Sequence, residues 1–163
     1  MWEKTNFYFL SGDNKTGKTI TLKKLYCLFM EHGAIFEEKI MGSASIEYKQ
    51  VENELNELTF PNSKHMMNFA VRFTYKGKHI LLSTWGDAFD KHKYSIVETL
   101  KKLKSNDDVY IGACHLGHKN KIGTLLKKEV SFTNKKTIDE PSKYLECDFA
   151  HAEVLFELID KVL

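Results

Sequence analysis

Residues 5–19 read TNFYFLSGDNKTGKT, and most of the fold follows from how that stretch is parsed. Thr5 to Leu10 (TNFYFL) is short, aromatic and nearly continuous in its hydrophobicity, as a strand buried on both faces would be. Glycine and small polar residues interrupt it at once. From Lys18 onward Ile20, Leu22, Leu25, Leu28 and Phe29 recur at helical spacing, which predicts a helix ending near Gly33. The opening unit is therefore strand, glycine loop, helix.

The loop itself, Gly12-Asp13-Asn14-Lys15-Thr16-Gly17-Lys18-Thr19, matches G-x-x-x-x-G-K-[ST], the Walker A pattern. Each fixed position has a task. Gly12 and Gly17 permit backbone geometry closed to other residues, so that successive N–H groups turn inward around an anion. The helix opening near Lys18 points its positive dipole end at the same place. The Lys18 ammonium, expected in solvent when no phosphate is bound, would reach β and γ phosphates, and the Thr19 hydroxyl would bind magnesium. With a buried strand before it and a helix after it, the motif resembles that of the P-loop nucleoside triphosphatases. The resemblance rests on residues 5–30 and on the order of strands and helices beyond them.

Downstream, residues 34–64 are the least readable, although Ile46, Val51, Leu55 and Leu58 make one face of a short helix before Pro61. Phe69 to Tyr75 and His79 to Thr84 read as a hairpin turned at Lys76-Gly77-Lys78. Ile96, Val97, Leu100 and Leu103 mark a helix that stops at Ser105-Asn106-Asp107, and Val109 to Cys114 an interior strand. A lysine-rich helix with Ile122, Leu125 and Leu126 follows, then a short strand at Val130 to Thr133, then an amphipathic helix from about Asp148 to Val162. The pattern predicts one domain over residues 1–163, an α/β fold with a three-layer, mainly parallel, P-loop NTPase-like sheet and one antiparallel hairpin.

The family resemblance implies an acidic residue at the end of a second strand, holding magnesium directly or through water. Ile80 to Asp87 (ILLSTWGD) is the candidate segment. Laid on the D-x-x-G signature of GTPases, it puts Ser83 where the aspartate belongs, and the nearest acid is Asp87. Asp87 is taken for the metal or water-positioning role, with Ser83 as a weaker ligand candidate. The competing reading makes Asp87 a turn or helix-capping residue. The N-K-x-D signature that reads guanine is also missing, since Asn120-Lys121 is followed by Ile122-Gly123. ATP is expected over GTP.

Composition narrows the rest. With 24 basic and 22 acidic residues among 163, the chain has no charge excess that demands nucleic acid, and its lysine groups read as solvated helix faces. Arg72 is the only arginine, so no multi-arginine clamp for a second phosphorylated substrate can form. Cys27, Cys114 and Cys147 are widely spaced and suggest no disulfide framework. Cys114, His115 and His118 cluster where a strand ends, but a fourth zinc ligand is lacking, and His115 is better placed as a substrate or base contact. Trp85 would serve as a base-stacking lid or a core plug. No leader-like or membrane-spanning apolar run is seen, so the expected setting is the cytoplasm, without a membrane partner.

These readings converge on a slow, magnesium-dependent NTP hydrolase or nucleotide switch, with Lys18 and Asp87 as the catalytic candidates and Thr19 and Asp87 as the metal ligands. Mg2+ is the implied cofactor, a nucleoside triphosphate the ligand, and an unidentified protein partner or activator the source of any missing arginine. A small-molecule or nucleoside kinase and a non-catalytic nucleotide-binding module are the alternatives.

Overall fold

The computed structural model describes residues 2–13, 17–42, 46–58, 67–135 and 143–163. In chain order the elements are β1 (Asn6–Ser11), α1 (Lys18–Glu31), β2 (Ile35–Met41), α2 (Tyr48–Asn56), β3 (Ala70–Tyr75), β4 (Lys78–Ser83), α3 (Ile96–Leu100), β5 (Val109–Cys114), α4 (Lys119–Leu126), β6 (Val130–Asn134) and α5 (Tyr144–Val162). The strands form one mixed sheet in the order β2-β3-β4-β5-β1-β6. The β4/β5, β5/β1 and β1/β6 pairings are parallel, whereas β3 runs antiparallel to both its neighbours.

Strand alternation sends side chains into two cores, one on each side of the sheet. On one face Leu10 of β1, Ile80 and Leu82 of β4 and Val109, Ile111 and Ala113 of β5 pack with α1, α2 and α5. On the other, Phe7 and Phe9, Leu81, and Tyr110 and Cys114 from the same three strands pack with α3 and α4. The layering is therefore helix, sheet, helix. No helix among the described residues is long and apolar enough to cross a membrane.

The hairpin turns at Lys76 and Gly77, both at positive φ (53° and 74°), the backbone geometry that follows strand twist in a two-residue turn. One element and two helix boundaries depart from the sequence reading. β2 was not foreseen: it is an edge strand with Ile35 69% and Phe36 41% exposed. Charged residues fill its middle, Glu38 pairing with Arg72 and Glu37 accepting from Thr74 and lying 2.7 Å from His79 Nδ1. α3 is one short turn and not a helix reaching Leu103. Arg72 Nη2 takes the Lys102 carbonyl (2.9 Å) and Asp107 takes the Lys104 amide (2.8 Å), so the groups that would extend the helix are bonded elsewhere. α5 begins at Tyr144, a turn before Asp148.

Candidate functional site

Where β1 ends, the chain is pinned between its parallel neighbours. The Gly12 amide donates to the Cys114 carbonyl of β5 (3.1 Å), the Lys135 amide donates to the Ser11 carbonyl (2.6 Å), and Ser11 Oγ donates to Asn134 Oδ1 (2.7 Å). Asn14, Lys15 and Thr16 lie outside the described residues. At Gly17 the backbone stands at φ +85°, and α1 opens there without a side-chain cap. A Cβ on Gly17 would lie 2.3 Å from both carboxylate oxygens of Asp148, so conformation and contact both require glycine. Asp148, from the first turns of α5, is buried and paired with buried Lys135 at 2.6 Å. Burial pushes the Asp148 carboxyl up to about 6, against the lowering pull of Lys135. This pair was not read from the sequence.

Lys18 is 6% exposed, and its ammonium donates to the carbonyls of Gly12 (2.8 Å) and Asp13 (2.9 Å). The expectation of a solvated lysine is thus corrected: the side chain folds back inside its own loop. Burial holds the ammonium below the usual lysine range, opposed first by the charge of Asp87 and then by Cys114 and Asp13.

β4 and β1 are not neighbours, because β5 lies between them, so anything carried by β4 must cross β5 to reach the loop. Gly86 makes that crossing, since a Cβ there would sit 2.5 Å from the Ala113 carbonyl carbon. Asp87 then emerges 81% exposed, with Oδ1 3.3 Å from His115 Nε2. Asp87, Asp13, His115, Gly117 and His118 line an open cavity of about 620 Å3. His118 is held below the usual histidine range by burial and by neighbouring His115, and its buried Nδ1 has no partner among the described residues. Asp87 caps no helix; Ser95 caps α3, accepting from the Glu98 amide. Ser83 is fully buried, its Oγ accepting from the Trp85 amide (3.3 Å), and does not present a ligand to the loop. Trp85 stacks on Tyr94 with ring centres 4.8 Å apart, which occupies one of its faces.

Thr19 Oγ1 donates to Asn68 Oδ1 (3.1 Å), and the same oxygen accepts from Thr84 Oγ1 (2.8 Å). Neither Asn68 nor Thr84 was picked out from the sequence, since no motif spacing links them to Thr19. Arg72 is buried against Asp107, which it holds through Nε (2.9 Å) and Nη2 (2.8 Å), so the only arginine is structural. Asn120 and Lys121 sit in the first turn of α4.

Among the described residues, no group of three or more His, Cys, Asp or Glu side chains is arranged to hold a metal ion. A magnesium ion bound beside phosphates asks for less, typically one or two protein oxygens completed by phosphate oxygens and water, and the Thr19 hydroxyl and Asp87 carboxylate are donors of that hard-oxygen kind. Comparison of the chain with family models, with curated proteins and with solved structures returned no match in any of the three.

Proposed function

We propose that the chain is a P-loop nucleoside triphosphate-binding protein that takes up ATP with Mg2+ and hydrolyses it slowly. The observation that carries this reading is Lys18: its ammonium is held within the glycine loop, at the start of a helix without a side-chain cap, directly after a strand buried in the sheet. Two of its three protons are engaged by Gly12 and Asp13, which leaves a third for a phosphate oxygen. Thr19 and Asp87 would hold the magnesium, whose chemistry is to neutralise charge developing between the β and γ phosphates. The carboxylate of Asp87, braced by His115, orients an attacking water.

With Arg72 bound to Asp107, no arginine of this chain is placed to steady the transition state. Turnover should be slow unless a partner supplies one. The helical setting of Asn120-Lys121 offers no carboxylate to guanine, so ATP should compete at least as well as GTP.

A kinase reading is favoured by one feature, the cavity of about 620 Å3 beside Asp87 and His115, which is large enough for a small acceptor. Phosphate release from Mg-ATP, measured with and without uncharged hydroxyl compounds, tests both. Release in water alone supports the hydrolase, and transfer dependent on an added alcohol supports the kinase. ATP binding without either leaves a non-catalytic nucleotide-binding module, and absence of ATP binding refutes the proposal.

A further inference from the structure

The hydroxyl of Thr19 has one proton, and its destination decides what the oxygen can do. In this structure the proton goes to Asn68 Oδ1 at 3.1 Å. Asn68 Oδ1 also accepts the Thr84 hydroxyl proton at 2.8 Å, so both lone pairs of the amide oxygen are used. Thr84 is itself fixed: its Oγ1 accepts from the Phe69 amide (2.9 Å), and its own amide donates to the Phe69 carbonyl (2.9 Å). The clip thus ties the residue after β4 to the residues before β3 and points an acceptor at the first turn of α1.

We propose that Asn68 and Thr84 are positioning residues for a divalent cation at Thr19. By taking the Thr19 proton Asn68, itself held by the Thr84 hydroxyl, leaves only lone pairs to face outward, which is what a metal requires of a hydroxyl ligand. The inference rests on the Mg-nucleotide reading above and extends it. It also gives the site a distinctive charge. The group that braces Thr19 is a neutral amide and not a carboxylate, so the cation would be held with one less negative charge nearby, and its affinity would depend on the phosphates and Asp87. Asn68→Asp keeps an acceptor for both hydroxyls and adds that charge.

The test is the metal dependence of ATP binding to the full chain, read by calorimetry across a Mg2+ series and in EDTA, with Mn2+ paramagnetic resonance counting bound ions. Asn68→Ala should raise the Mg2+ concentration for half-maximal binding by about tenfold or more, the usual cost of losing a group that orients a metal ligand. Affinity in EDTA should stay near that of wild type. Thr84→Val, which preserves shape, should move the same quantity in the same direction, and it carries the test should Asn68→Ala not fold. Asn68→Asp should lower the half-maximal Mg2+ concentration below that of wild type.

Equal loss of affinity with and without metal in Asn68→Ala and Thr84→Val would overturn the inference, because a purely structural clip behaves so. An Asn68→Asp variant that binds Mn2+ no better than Asn68→Ala would overturn it too. If wild type binds ATP equally well in EDTA and in Mg2+, the metal role of Thr19 fails while nucleotide binding stands. If wild type binds no ATP, the nucleotide reading fails with it.

Discussion

The Lys18 ammonium donates to two carbonyls of its own loop, and this sets the outcome of removing it. On the proposed nucleotide reading Lys18→Ala would delete a charge-assisted contact to phosphate worth roughly 1.5–3 kcal/mol, so ATP affinity measured by calorimetry should fall by about ten to a hundredfold. It also leaves the Gly12 and Asp13 carbonyls without their donor. Because the side chain is buried, the melting temperature should drop as well, by an amount equivalent to about 1–2 kcal/mol. Asp87 is its exposed counterpart and predicts a different result. Asp87→Asn keeps the shape while removing a charge that favours the Lys18 ammonium, so turnover should fall more than ATP affinity in steady-state kinetics. Ser83→Ala, at a buried hydroxyl bonded to the Trp85 amide, should change neither turnover nor affinity.

At the scale of elements, α5 seats Asp148 against the start of α1 at Gly17. Gly17→Ala forces an L-residue into the left-handed region, at about 1–2 kcal/mol, and drives its Cβ into the Asp148 carboxylate. The combined loss should exceed that backbone strain alone in chemical denaturation, and Gly17→Ala made in an Asp148→Ala background should cost less than in wild type. The buried pair predicts a pH signature of unusual sign. The Asp148 carboxyl titrates near 6 in the fold and near 3.8 when unfolded. Between those values the folded chain holds a proton that the unfolded chain has released, so stability from this group is full below about pH 4 and declines until about pH 6. Denaturation midpoints from pH 4 to 6 should fall more steeply with pH in wild type than in Asp148→Asn. Lys135→Met, which strands a buried carboxylate, should destabilise by about 3–5 kcal/mol at pH 7.

For the molecule as a whole, binding to the folded state alone must stabilise it. Mg-ATP at about a hundred times its dissociation constant should contribute about 2.7 kcal/mol, raising the melting temperature by several degrees in scanning fluorimetry. A shift with neither ATP nor GTP would sink the nucleotide reading. The sequence by itself determined the elements whose signal is local. β1, the glycine loop and α1 are legible because a buried strand and an amphipathic helix differ in period, and the β3–β4 hairpin because Gly77 marks its turn. It singled out Lys18 and Thr19 as candidates by motif and Asp87 by proximity to a strand end. It did not reveal β2, whose exposed apolar start and charged middle carry no strand period and which is held by its ladder to β3 and by Glu38 on Arg72. Only the tertiary structure decided that β5 separates β4 from β1, that Gly86 carries the chain across Ala113, that Asp148 seats against Gly17, and that Asn68 takes the Thr19 proton. Those relations join residues 27 to 131 positions apart, where no periodicity or spacing connects the partners, and they exist only once the sheet order has brought the strand ends together.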